Sequence, residues 1–272
     1  MKLLHLYNDL MNLYGEYGNV SAMMRMLEKS GISARLDRLS VEDQPVLSDY
    51  DFIYVGSGTE SNQKYVLQHL HTLKEELKQY IEAGKVLLMT GNSFELLGEC
   101  LTDTKGKEWQ GLGLFPFRIK EQDRIRYTGD AIFTMEGLEQ PLVGFVNKCS
   151  TIEGVNLPLF KVKMGLGNEG QGGMEGIRSK NFFGTHLTGP VLIKNPDFLI
   201  YLAQLLCVQA EAEQKEVTGM ETEIEAKACE GARNKEADGG NRELLNTGWL
   251  EAERAGYEVT LRELGKRLST HG

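Results

Sequence analysis

Over its first hundred residues the chain alternates short apolar runs with helix-spaced segments, and this alternation constrains the fold more than any other feature of the sequence. Residues 2–7 are short and apolar, residues 20–29 have helical spacing, and residues 32–39 alternate as a strand does. Residues 51–55 read as a third strand, 65–82 as one long amphipathic helix, and 86–89 as a fourth strand. Strands and helices joined by such short connections imply a mostly parallel sheet covered on both faces, an α/β layer architecture. Ligands of such sheets bind beyond the carboxyl ends of the strands. The glycines fall there: Gly56 and Gly58 after the third strand, Gly91 after the fourth.

The pattern changes after residue 100 to short strands separated by glycine turns, clearest at 124–135, 142–147 and 182–187. The run GLGNEGQGGMEG at 165–176 is too rich in glycine for a regular element and is expected to be a mobile loop. It lacks the GxxxxGK[ST] spacing that brings a lysine and a hydroxyl to phosphates, which argues against nucleotide binding there. Residues 198–215 read as a closing helix. Residues 219–243 turn charged and glycine-broken, the composition of a solvated, partly disordered extension. Helical spacing returns over 249–268 through Leu250, Tyr257, Leu261, Leu264 and Leu268, a helix that could dock on this chain or on a partner. The division expected is a domain at 1–210 and a charged C-terminal extension, partly disordered or helical, at 211–272.

Composition narrows the function classes. With 272 residues, 41% of them hydrophobic, the chain can bury one sizeable core. A formal net charge of −9 argues against nucleic acid or an anionic membrane as the main partner. The four cysteines, Cys100, Cys149, Cys207 and Cys229, show no CxxC spacing, so neither a metal site nor a disulfide framework is expected. No apolar run approaches the ~18 residues of a membrane span and no signal-peptide pattern opens the chain, so a cytoplasmic location is expected.

Residues 85–98, KVLLMTGNSFELLG, read as a buried strand, a sharp turn and a helix start, a geometry that presents a nucleophile at the turn. Together with LYNDLMNLYGEYGNV (6–20), DFIYVGSGTESNQ (51–63), RYTGD (126–130), VGFVN (143–147) and KNFFGTHLTGPVLIKN (180–195), this stretch resembles the class I, CobB/CobQ-like glutamine amidotransferases. Within that family it is most similar to the glutaminase subunits of lipid II isoglutaminyl synthase. The pieces occur in the family's order across roughly the first 200 residues. The resemblance implies a three-layer, flavodoxin-like domain with added short strands, and glutamine hydrolysis by an elbow cysteine with a histidine base and an oxyanion turn. It also implies L-glutamine as the substrate and a Mur-ligase-like synthetase as partner in the amidation of D-glutamate in the peptidoglycan stem peptide. ATP and magnesium would belong to that partner, with no cofactor in this chain.

Two positions depart from the family pattern. Gly91 stands where the family's Cys-Gly-Gly-Tyr-Gln elbow has its cysteine, followed by Asn92, Ser93, Phe94 and Glu95, and Thr188 stands where Leu-His-Gly-Pro has its histidine. Losing the nucleophile of a hydrolytic triad costs on the order of 10⁶ in turnover. Two rescues stay open: a one-residue slip that brings Thr90 to the elbow, or Ser93 paired with His186, which lies roughly 6–7 Å along the strand from the family's base. Cys100 falls on the helix expected past Gly98, away from the nucleophile position. Arg126 takes the position of a substrate-contacting arginine, and Gly56, Ser57, Gly58 and Asn92 that of the oxyanion turn. Glu95 replaces a glutamine and adds negative charge beside any bound carboxylate. Three readings follow: a non-hydrolysing subunit that docks a ligase, an amidotransferase with a non-standard nucleophile, or a glutamine sensor.

Overall fold

The computed structural model describes residues 1–218 and 245–270. In chain order its elements are β1 (Lys2–Leu6), α1 (Tyr17–Lys29), β2 (Arg35–Leu39), β3 (Phe52–Val55), α2 (Glu60–Leu70), α3 (Lys74–Glu82) and β4 (Val86–Thr90). Short strands follow: β5 (Cys100–Thr102), β6 (Glu108–Gln110), β7 (Arg118–Glu121), β8 (Tyr127–Thr134), β9 (Leu142–Lys148), β10 (Ser150–Glu153), β11 (Phe160–Met164), β12 (Met174–Glu175), β13 (Ile177–Ser179) and β14 (Phe182–Thr185). The chain ends in α4 (Val191–Lys194), α5 (Pro196–Thr218) and α6 (Glu251–Thr270).

The central sheet has the order β13-β14-β4-β3-β1-β2 and is parallel except for the β13–β14 pair. Neighbouring residues of its strands enter opposite cores. Leu3, Phe52 and Phe183 pack with α1 and α5, while Leu4, Ile53 and Phe182 pack with α2 and α3. A strand covered on both faces requires this period of two with apolar residues at every position. Two four-stranded sheets, β10-β7-β5-β6 and β12-β11-β8-β9, are added beside this core. The α/β architecture read from the alternation is thus the one observed.

Several boundaries differ from those expected, each for a local reason. The predicted single helix over 65–82 begins earlier, where the Thr59 side chain accepts from Asn62 N at 3.1 Å and caps the first turn. It then breaks into α2 and α3 at a 3-10 turn, where the Thr72 hydroxyl donates to the His69 carbonyl at 2.7 Å and competes with the helical ladder. The strand expected from residue 32 starts at Arg35, because Gly31 (φ +73°) and Ile32 N, bonded to Leu27 O at 2.9 Å, close the end of α1. After the elbow only a four-residue 3-10 helix forms, Phe94–Leu97, so Cys100 opens a strand rather than lying on a helix.

The glycine-rich run 165–176 is pinned rather than loose. Asn168, buried, exchanges two side-chain hydrogen bonds with the Gly176 backbone at 2.9 and 3.1 Å, and Lys148 Nζ donates to the carbonyls of Gly167 and Asn168 at 2.7 and 3.0 Å. A Cβ on Gly167 would stand 2.2 Å from Gly172 O, so the loop's glycines serve close backbone approach.

The charged segment 219–243 lies outside the described residues. The helix predicted over 249–268 docks on this chain itself: Leu250 is buried in the main core, and Leu264, Tyr257 and Leu261 cover Ile132 of β8 and Val143 of β9. Tyr257 donates to Pro141 O at 2.7 Å, and Arg267 meets Asp130 at 2.7 Å. Among the described residues no helix is long and apolar enough to cross a membrane.

Candidate functional site

The site assembles at the carboxyl ends of β3, β4 and β14, beside the point between β1 and β3 where the strand order reverses. β4 ends at Thr90, and Gly91 turns the chain with φ +65°, a left-handed conformation suited to glycine. Its N–H donates to Leu187 O at 3.1 Å. A Cβ built on Gly91 would lie 2.1 Å from the Cβ of Ser57 and 2.8 Å from its Oγ. The space in front of the elbow is therefore filled by the Ser57 side chain, whose hydroxyl donates to the buried carboxylate of Glu16. Glu16 also accepts from Tyr14 N at 2.7 Å within the loop after β1, so its bond from Ser57 ties that loop to the turn after β3.

The outer glycines of that turn serve space rather than a left-handed backbone. A Cβ on Gly56 would meet Met11 O at 2.4 Å, and one on Gly58 would meet Met11 Sδ at 2.5 Å. Gly58 N already donates to Asn92 Oδ1 at 3.1 Å, and Asn92 Nδ2 returns a bond to Gly58 O at 3.0 Å. Two members of the expected oxyanion turn thus satisfy each other.

None of the three fallback residues is arranged for attack or proton transfer. Thr90 is fully buried and shares a 2.7 Å hydrogen bond with Tyr54 OH, which accepts in turn from Asn19 at 2.8 Å. Ser93 is buried with its hydroxyl turned to the carbonyls of Thr90 at 2.8 Å and Val55 at 3.2 Å. His186 is held on both sides by carboxylates, Nδ1 at 3.0 Å from Glu175 and Nε2 at 3.1 Å from Glu95. The Ser93–His186 pair considered from the sequence is not formed, because each group is committed elsewhere. Thr188 donates through both its N–H and its hydroxyl to Phe145 O, at 2.9 and 3.1 Å, and so joins the end of the chain's last central strand to β9.

Around His186 lies a buried polar network. Glu175 accepts from Thr185 Oγ1 and from His186 N, each at 2.8 Å. Glu95 accepts from Gln63 Nε2 at 2.8 Å and from the Ser150 hydroxyl. Burial pushes the Glu95 carboxyl up, but the hydrogen bond and charge of His186, with Ser150 and Gln63, outweigh it and hold the group below the usual carboxylate range. Lys148, nearly enclosed, is brought down to about 8 by burial, against the opposing pull of Glu175 and Glu95.

Arg126 is engaged within the protein. Its Nη1 meets Glu60 at 2.9 Å and its Nε donates to Asn147 at 2.6 Å, while Asn147 donates to Tyr14 OH at 2.8 Å. Cys149, which the sequence offered only as one cysteine of four, lies in the same pocket with its thiol 3.3 Å from Glu60. Burial, and then the Glu60 charge, push that thiol up to about 12, so it is no thiolate nucleophile. The cavity left between Ser57, Glu60, Asn92, Glu95, Arg126 and Cys149 is about 10 Å³. That is room for about one water and far below the few hundred Å³ of ligand pockets. Among the described residues no group of three or more His, Cys, Asp or Glu could hold a metal ion.

Sequence reasoning missed Glu175, Glu60, Asn147 and Cys149. Glu175 carried one weak signal, as one of two acidic residues inside a glycine run, whereas Cys149 carried none beyond its identity.

Comparison with known proteins agrees with this fold. The model of the CobB/CobQ-like glutamine amidotransferase domain matches residues 2–196. The "Lipid II isoglutaminyl synthase (glutamine-hydrolyzing) subunit GatD" of Streptococcus pneumoniae (strain ATCC BAA-255 / R6) is 31% identical over 197 residues, 72% of this chain and 76% of that protein. The protein of the same name from Staphylococcus aureus (strain N315) is 30% identical over 229 residues, 84% of this chain and 93% of its own length. A solved structure described as a glutamine amidotransferase superposes with TM-score 0.50 at 16% identity, covering 75% of this chain and 98% of its own, a likeness of fold. The chain belongs to the CobB/CobQ-like glutamine amidotransferase domain family.

Proposed function

We propose that this chain is a glutaminase-inactive counterpart of the glutaminase subunit of lipid II isoglutaminyl synthase, retaining the scaffold to dock a Mur-ligase-like synthetase. The observation that carries the reading is the filled elbow: Gly91 offers no nucleophile, and Ser57 occupies the volume that a side chain there would need. The loss extends to the proton-transfer position, where Thr188 is bonded to Phe145 O. Glutamine has no cavity to enter in this conformation, which also disfavours the sensor reading.

The surface over the elbow supports docking. Leu13, Tyr17, Phe145 and Ile193 are exposed apolar side chains on the segments that frame Thr188 and the turn after it. Exposed apolar groups concentrated around a filled site fit a protein contact better than a small-molecule one. Amidation of a stem-peptide carboxylate would then run on the synthetase, with its ATP and magnesium, using ammonia from solution or from another donor.

The test is co-expression with a Mur-ligase-like synthetase. Stable co-elution, loss of co-elution in Tyr17→Asp, and no glutamate release from glutamine are the expected results. Glutamate release at rates on the order of 1 s⁻¹, ordinary for enzymes, would overturn the reading. Thermal stabilisation by glutamine without turnover would replace it with the sensor.

A further inference from the structure

The inherited site has closed, but a cavity of about 330 Å³ opens elsewhere, where α6 crosses the first turn of α5 and the turn into β9. That is the lower end of the range for small-molecule pockets. Its floor is apolar, with Leu142 and Phe198 buried and Leu138 and Leu261 partly so. Its rim carries two cations and two anions: Arg254 and Arg262, Asp197 and Glu258.

These charges are weakly committed. Arg254 and Asp197 meet at 3.1 Å with both side chains more than a third exposed, a pair worth at most ~1 kcal/mol and easily exchanged. Arg262 stands 3.8 Å from Glu263, beyond hydrogen-bond reach. Glu258 precedes Arg262 by one helical turn, so the two project from the same side of α6. A ligand carrying both charges could exchange with both signs of this rim, a singly charged one with only one of them.

We propose that this cavity binds a small zwitterion with an apolar side chain, an α-amino acid by chemical class. Its carboxylate would meet the arginines, its ammonium the carboxylates, and its side chain the floor. The ligand would touch α6 and the domain together, so occupancy would favour the docked helix by mass action. The proposal does not depend on the lost glutaminase chemistry or on a partner at the elbow, which use other surfaces.

The experiment is calorimetric titration of the full chain with L-phenylalanine as probe, against 3-phenylpropionate and phenethylamine, each lacking one charge. Saturable binding is expected for the zwitterion, about fivefold weaker for either analogue, together with slower amide exchange along α6. Leu138→Trp, which fills the floor, should abolish binding, and Glu258→Ala with Arg262→Ala, both exposed, should weaken it without unfolding the chain. No saturable binding, equal binding of all three probes, or wild-type affinity in the rim variant would each overturn the proposal.

Discussion

The Cβ of Ser57 stands 2.1 Å from where a Cβ on Gly91 would be, so the two positions cannot both carry ordinary side chains in this backbone. The Ser57 side chain, from the end of the neighbouring strand, fills the volume in front of the turn and is anchored there by Glu16.

Gly91→Cys alone is expected to destabilise the protein by about 2–4 kcal/mol, the sum of left-handed strain and overpacking against Ser57. Ser57→Gly in the same chain should recover the overpacking part. Thermal midpoints of the two singles and the double measure the coupling, and additivity of the singles would show that the contact is unimportant. On the proposed reading glutamate release should stay absent from the double variant, because the Thr188 hydroxyl, bonded to Phe145 O, is no base.

His5 gives a pH dependence of known sign. It is buried on β1 with neither ring nitrogen partnered, and burial, then the Arg38 charge, lower it from 6.5 to about 4 against a small opposing effect of Asp9. Below pH 6.5 the unfolded chain binds a proton that the folded chain refuses. Stability is thus full above that pH and falls as pH drops to about 4, by on the order of 3 kcal/mol. Denaturant titrations of wild type and His5→Phe across this window should differ by that slope, which the variant loses.

Removing the imidazole between Glu95 and Glu175 leaves two buried carboxylates without their shared partner. His186→Leu is expected to cost about 3–5 kcal/mol, read from urea unfolding. If His186 were instead a catalytic base with little structural weight, the variant would unfold at the wild-type midpoint.

Cys149 is expected to resist alkylation. With its thiol pushed up to about 12, the thiolate fraction at pH 8 is about a thousandfold below that of a free cysteine. Mass-spectrometric mapping after iodoacetamide should find it unmodified in the native protein and modified after denaturation.

The docking of α6 rests on few apolar contacts, with Leu264 central among them. Leu264→Ala should weaken it by about 2–3 kcal/mol. Hydrogen exchange would then speed along α6, while β1, β3 and β4 keep wild-type protection. Uniform loss of protection would mean that the helix is integral to the core.

Much of the fold was legible because it rests on local patterns. The four parallel strands of the first hundred residues, and the glycines at their ends, follow from apolar runs and turn chemistry. The helix over 65–82 was misread because a hydroxyl at Thr72 competes with the backbone inside an unbroken apolar stripe. The run 165–176 is largely irregular as its glycines imply, but glycine composition does not say whether a neighbouring lysine and asparagine will bind its backbone.

At the candidate site the sequence by itself determined which residues stand at the elbow and after the last central strand: Gly91 and Thr188, where the family resemblance leads one to expect a cysteine and a histidine. Only the tertiary structure decided what surrounds those two positions. Ser57 fills the elbow, Ser93 and His186 are spent on other partners, and the cavity closes to about 10 Å³. The reason is physical. Residue identity and turn geometry are local properties, whereas free volume and hydrogen-bond partnership depend on groups that meet only when distant strand ends converge.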